Sequence, residues 1–255
     1  MLTCGIISVE FNLDFENVDD RTMNRILFLD NSIENDVYQP SMYWEVFLTF
    51  FFDSYRAYYR ELPLELNDYS HILITGSSAS VLDDEEWMRA EADLIRNAVK
   101  KGKVILGSCF GHQILARSLF GMKTVRARQT PEVGWPDIEI IAEDQLFGEA
   151  GRVINGFVFH FDDVCDLPNN EVTIIARSRE CEILGFKLKD RPVWGIQPHL
   201  EMGIVEGLRL IENVFGEGER EKHLLGGSSQ NAPQDTGWII PLMSAFHNVR
   251  PLSTG

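Results

Sequence analysis

The chain has 255 residues, 44% of them hydrophobic, and a formal net charge of −16. That length and apolar content allow one sizeable folded domain and exclude disorder over most of the chain. The excess of acid disfavours partners that are nucleic acid or anionic membrane, and no apolar run approaches the length of a membrane span.

Residues 1–24 read as an extension, without the basic start and long apolar run of a secretory signal. The four cysteines, Cys4, Cys109, Cys165 and Cys181, show no C-x-x-C spacing. A chain of this size does not need disulfide staples, so a reduced, cytoplasmic setting is expected. "RILFLDN" (Arg25 to Asn31) reads as a buried strand ending in turn formers, and the aromatic-rich stretch Met42 to Arg60 as a helix. "HILITG" (His71 to Gly76) is a second buried strand. A helix follows, capped at Asp83 or Asp84, closed by Lys100 and Lys101 and stopped by Gly102. "KVILG" is a third strand, and "HQILARSLF" a helix stopped by Gly121.

After Gly121 come short strand-like runs: "KTVRAR", "DIEIIAE", "RVINGFVFHF", "EVTIIARS", "CEILGFKLK" and "PVWGIQ". A helix is expected over Gly203 to Phe215. From Gly216 the chain is polar, although Trp238 to Met243 is apolar enough to dock. Alternating strands and helices predict an α/β domain with a central, mainly parallel sheet and helices on both faces. The predicted division is an extension over 1–24, the domain over 25–216 and a polar tail over 217–255.

The stretch "ILGSCFG" places Cys109 on a strand-to-helix corner between Gly107 and Gly111. Such a corner exposes its side chain at the carboxyl end of the sheet, where ligands of open α/β sheets bind. It also puts a thiol at a helix N-terminus, which favours the thiolate. A buried, inert cysteine is the alternative reading. A nucleophilic cysteine needs a base. Among the six histidines, His199 lies in "PHLE", where an extended H-x-E puts His199 and Glu201 on one face. That is the nucleophile, base and orienter arrangement. His112 is either a neighbour of the cysteine or a packed core residue, and His160 either shapes a pocket or anchors a loop.

Four ordered motifs resemble the class I, triad-type glutamine amidotransferases. They are Gly107, Cys109, Gly111 and Gln113; Gln197-Pro198-His199-Leu200-Glu201; the turn Thr75-Gly76-Ser77-Ser78-Ala79-Ser80; and His160, Asp162, Val164, Leu167 and Pro168. The resemblance spans roughly residues 25 to 215 and implies a flavodoxin-like core. It also implies that Cys109 attacks a γ-glutamyl carboxamide to form a thioester, with His199 as base and Glu201 as its orienter. The backbone amides of Ser77 and Phe110 would hold the oxyanion. Gly76, Gln113, Glu132, Gly134, Trp135, His160 and Asp162 would line the substrate pocket. Ser77 departs from the family's usual second glycine, and Pro198 precedes the histidine where the family's proline follows it.

"GSCFGHQILARSLFGMKTVRARQTPEVG" and "ITGSSASVLDDEEWM" are similar to the stand-alone γ-glutamyl peptidases related to GMP synthase amidotransferase domains. The leading expectation is therefore a cysteine hydrolase of a small γ-glutamyl amide or peptide. One alternative is a glutaminase subunit feeding ammonia to a separate synthase partner. The other is a catalytically silent binding or regulatory module. No cofactor and no metal is expected, since no P-loop and no metal-ligand spacing is present.

Overall fold

The computed structural model of the chain describes residues 25–34, 37–224 and 237–253. The extension expected over 1–24 lies outside the described residues. The first strand, β1 (Ile26–Asp30), is buried along its whole length. A short helix α1 (Pro40–Trp44) leads to strand β2 (Phe52–Arg56). Then come β3 (His71–Ile74), α2 (Glu86–Lys100), β4 (Val104–Ser108) and α3 (Phe110–Phe120). The second half supplies β5 (Val125–Gly134), β6 (Asp137–Ile140), β7 (Val153–Asn155), β8 (Val158–Val164), β9 (Val172–Arg177), β10 (Gly185–Leu188) and β11 (Val193–Ile196). Helices α4 (Ile204–Phe215), α5 (Arg220–His223) and α6 (Ile239–Asn248) follow.

Nine strands form one sheet in the order β2-β1-β3-β4-β11-β10-β9-β6-β7. The first five are mutually parallel, and the other four add antiparallel to their edge. Taken in chain order, the parallel strands run 2-1-3-4-5, the flavodoxin-like arrangement. The runs ILFLD, HILI, VILGS and VWGI are apolar on both faces because both faces are covered. Leu27, Leu29, Ile72, Ile74 and Ile105 meet Met88 and Ile95 of α2 and Ile114 and Leu115 of α3. Their neighbours Ile26, Phe28, Leu73, Val104 and Leu106 face the other way, onto Trp44 and onto Leu242, Met243 and Phe246 of α6. The period of two along each strand sets this division.

Two local expectations are corrected. The stretch Met42 to Arg60 is not one helix: its second part pairs as β2 with β1, Phe52 opposite Ile26 through Arg56 opposite Asp30. Its aromatic and small polar residues suit a half-buried edge strand. Helix α2 is capped at Glu85 rather than at Asp83 or Asp84. Asp84 instead takes φ 50° at the end of a short turn, and its carboxylate reaches back to Arg89 and Arg117.

Candidate active site

Cys109 sits between β4 and α3 with φ 52° and ψ −108°, a conformation that is costly for any residue with a side chain. Neighbouring backbone holds it there. The Cys109 amide donates to Ile196 O at 2.8 Å, and the Gly111 amide donates to Thr75 O at 3.1 Å. The flanking glycines serve close approach. A Cβ on Gly107 would lie 2.4 Å from Gly111 O, and one on Gly111 would lie 2.3 Å from Ile74 O. The positive φ of this corner belongs to the cysteine itself. A strained backbone fixed from several sides is characteristic of a functional position, at a cost of about 1–3 kcal/mol.

The loop after β11 brings in the base. The His199 amide donates to Phe157 O at 2.7 Å, which fastens the loop beside β8. His199 and Glu201 do not lie on an extended strand. The chain turns at His199, with Met202 N donating back to His199 O at 3.3 Å. The pair still meets, with His199 Nδ1 donating to Glu201 Oε1 at 2.7 Å and both side chains buried. Burial alone would lower the His199 pKa. The neighbouring Cys109 sulfur and Glu201 carboxylate, by charge and hydrogen bonding, outweigh it and hold the ring high, at about 10. Gly76 lies between nucleophile and base, since a Cβ there would be 2.9 Å from His199 Cε1 and 3.4 Å from Cys109 Cβ.

Phe110 is the first residue of α3, so helix geometry leaves its amide without an intrahelical partner. The Ser77 hydroxyl accepts from the Ala79 amide at 3.1 Å and so braces the turn that carries its own backbone.

The remaining predicted pocket residues gather beside this centre and largely bind one another. The two-stranded antiparallel sheet of β5 and β8 pairs Glu132 with His160 in register, and Phe159 O lies 3.9 Å from the Cys109 sulfur. Gln113 Nε2 donates to Asp162 O at 3.0 Å and to Gln197 Oε1 at 3.2 Å. Asp162 accepts from the Ser80 hydroxyl; burial raises its pKa and that hydrogen bond opposes the rise. His160 lies within β8 and uses both ring nitrogens. Nδ1 donates to Asp162 O at 3.0 Å, and Nε2 meets Glu132 Oε2 at 3.0 Å. Glu132 also accepts from Ser178 at 2.9 Å. Gly134 takes φ 127° at the end of β5, and Trp135 packs on Phe157 at a ring distance of 4.8 Å. His112 packs against Phe186, and burial lowers its pKa to about 3.

Glu132, His160 and Cys181 place ligand-type atoms within 4.8 Å of one another. Arg128 stands 3.8 Å from Glu132 Oε2 and 2.7 Å from Asp163 Oδ1. A guanidinium thus already balances the carboxylates there, and burial pushes the Cys181 thiol up, against the thiolate a metal requires.

Two groups in the site have no signal in the local sequence. The Tyr38 hydroxyl donates to Glu201 Oε1 at 2.5 Å, and its ring meets His199 edge-on at 5.0 Å. Two donors therefore converge on one carboxylate oxygen. Behind the turn that precedes Ser77, the Asn31 amide donates to Thr75 Oγ1 at 3.0 Å. Asn31 Nδ2 also donates to Glu91 Oε1 at 3.0 Å. Glu91 is wholly buried in α2, and burial raises its carboxyl pKa to about 8 although Asn31 favours the ion. An apolar-and-acid helix pattern does not reveal which acid faces inward.

Among known proteins, the family profile "Glutamine amidotransferase class-I" matches residues 45–216. Gamma-glutamyl peptidase 4 of Arabidopsis thaliana is 35% identical over 176 residues, covering 65% of this chain and 68% of that protein. The glutamine-hydrolyzing GMP synthase subunit of Methanothermobacter thermautotrophicus is 36% identical over 113 residues, covering 44% of this chain and 59% of that protein. A glutamine amidotransferase from Thermotoga maritima superposes with TM-score 0.69 at 24% identity, covering 89% of this chain and all of that one. One from Methylobacillus flagellatus gives TM-score 0.69 at 20% identity, with coverage of 92% and 99%. At these identities the two structures bear on the fold alone. Among the described residues, no helix is long and apolar enough to cross a membrane.

Proposed function

The chain belongs to the class-I glutamine amidotransferase family, and from that premise we propose that it hydrolyses the amide bond of a γ-glutamyl substrate through a glutamyl thioester on Cys109. The observation that carries this reading is the strained Cys109 corner facing a His199–Glu201 pair at 2.7 Å. The Cys109 sulfur attacks the γ-carbonyl, and the C–N bond breaks as His199 delivers a proton to the departing nitrogen. Water, deprotonated by the same ring, then cleaves the thioester and releases glutamate. The amides of Phe110 and Ser77 are the donors for the oxyanion in both steps. Tyr38 and Glu201 hold the ring tautomer that keeps Nε2 towards the sulfur.

The second reading is a glutaminase subunit that passes ammonia to a separate synthase. It is favoured by the relatives named as glutamine-hydrolyzing GMP synthase subunits, of whose length the chain spans about three fifths. The test is glutamate release from glutamine and, separately, from glutathione, with Cys109→Ala alongside. Preferential turnover of glutathione supports the peptide hydrolase, and preferential turnover of glutamine supports the ammonia-supplying role. Equal background from wild type and Cys109→Ala on both substrates would remove the enzymatic reading.

A further inference from the structure

Thr75 follows the last residue of β3, precedes the turn that carries Ser77 and is wholly buried. Every hydrogen-bonding group it has is engaged. Its amide donates to Leu29 O at 3.1 Å, and its carbonyl accepts from the Gly111 amide at 3.1 Å. Its Oγ1 accepts from the Asn31 amide at 3.0 Å. That bond occupies a lone pair and leaves the hydroxyl proton to donate, which it does to Gly76 O at 3.1 Å. Asn31 is wholly buried as well, and its Nδ2 is tied to Glu91 Oε1 at 3.0 Å. The Thr75 hydroxyl is therefore set between a fixed donor and the carbonyl of the next residue.

The Gly76 carbonyl shares one planar, trans peptide with the Ser77 amide, so the two point in opposite directions. Gly76 has no room for a side chain, because a Cβ there would lie 2.9 Å from His199 Cε1. Glycine also restrains the neighbouring backbone least of all residues. Thr75 Oγ1 supplies the restraint that Gly76 lacks. Strand β3 lies between β1 and β4 in the sheet. Asn31 follows the end of β1, and Cys109 follows the end of β4. A Gly76 carbonyl held through Thr75 to the β1 side turns the Ser77 N–H to the β4 side, where Cys109 stands. Among the described residues, the Ser77 amide donates to no backbone carbonyl. The Ser77 hydroxyl is engaged elsewhere, by the Ala79 amide.

We propose that Thr75 is a positioning residue for the reaction: its hydroxyl, set by the Asn31 amide, locks the Gly76–Ser77 peptide with its N–H aimed at the oxyanion that forms on Cys109. The inference rests on the hydrolase reading above. Thr75 acts through that peptide and not on the reacting atoms. Without the hydroxyl the peptide is released and the oxyanion loses a donor, while the nucleophile and its base keep their places.

The test measures glutamate release from glutamine and from glutathione in wild type, Thr75→Val, Thr75→Ser and Thr75→Ala. Alkylation of Cys109 by iodoacetamide, located by peptide mass, is timed in each protein. That reagent reacts by displacement at carbon and forms no oxyanion, so it reports the thiol and its base alone. Thr75→Val keeps the shape and loses the hydroxyl. Its kcat is expected to fall about 10²-fold, the scale of one lost oxyanion donor, with KM and the alkylation rate within about threefold of wild type. Thr75→Ser and Thr75→Ala lack the same methyl and differ only in the hydroxyl. Thr75→Ser should exceed Thr75→Ala in kcat by at least about tenfold, and this pair decides the matter if Thr75→Val does not fold. Equal kcat in the pair overturns the lock. A fall in alkylation rate that matches the fall in kcat overturns it too, since the damage would then lie at Cys109 and His199, and so does a loss confined to KM. In each of these cases the wild type stays active and the thioester chemistry stands. No glutamate from the wild type with either substrate removes the hydrolase reading itself, and this inference with it.

Discussion

The molecule contains two buried histidine–glutamate pairs, and their chemistry differs. His199 and Glu201 meet at 2.7 Å, and His160 and Glu132 at 3.0 Å. In the first pair the carboxylate engages one ring nitrogen and the other is left for the Cys109 sulfur. In the second both nitrogens are consumed, by Glu132 and by the Asp162 carbonyl, while Ser178 and Arg128 attend to Glu132. A histidine with both nitrogens committed fixes strands, whereas one with a nitrogen facing a thiol can move a proton. Distance and burial alone do not separate the two, and the inventory of partners does.

Substituting the two histidines is the strongest way to break this contrast. His199→Ala is expected to lower kcat/KM for glutamate release by about 10³-fold or more, through loss of the general base. His160→Ala should act on stability instead, because it takes the nearest partner from Glu132 Oε2 in the interior and leaves only Ser178 and the more distant Arg128 to the carboxylate. A loss of about 3 kcal/mol, seen as a fall in Tm of about 6–12 °C, is the expected scale. Its effect on kcat/KM should be much smaller than that of His199→Ala. If a stably folded His160→Ala protein were as inactive as His199→Ala, the division between the pairs would be wrong.

Tyr38→Phe sharpens the contrast from the carboxylate side. It removes one of two donors from Glu201 Oε1 and leaves the ring in place against His199. A fall in kcat of about tenfold with KM little changed is expected, since the contact orients the base and does not touch substrate. A change confined to KM would instead place Tyr38 in the substrate pocket.

The smallest effect concerns Glu91, a buried acid that is neither catalytic nor ion-paired. Its folded pKa, about 8, lies above the unfolded value of 4.5. The folded state therefore binds the proton more tightly, and stability falls as pH rises from about 4.5 to about 8. Glu91→Gln is neutral at every pH and keeps an acceptor for Asn31. It should raise Tm relative to wild type by about 3 °C or more at pH 8, with the difference closing towards pH 5. An equal Tm difference at both pH values would mean that Glu91 is ionised in the fold at neutral pH.

Much of the candidate site's geometry follows from the sequence because its parts are local. The corner at Cys109 is written in two glycines four residues apart, and the close contacts at Gly111 O and Ile74 O explain why larger residues do not fit. His199 and Glu201 are two residues apart, so their meeting survives the replacement of the expected extended strand by a turn. Strand β2 was not legible. Its FDSYR segment has no clean alternation, and its pairing with Ile26–Asp30 is a contact across the chain. Tyr38 was not legible either, because its partner Glu201 lies 163 residues away.

The apolar runs that become the parallel strands, the helix stop at Gly121 and the residues of the proposed triad can all be read from the chain before it folds. They follow from periodicity, backbone sterics and short spacings, which act within a few residues. Three features come from the assembled fold instead: α6 closes the second face of the sheet, Asn31 and Glu91 back the turn before Ser77, and Arg56 stands beside Asp30 without an ion pair among the described residues. Burial and hydrogen-bond commitment are properties of neighbours brought together by folding, and no local pattern encodes them.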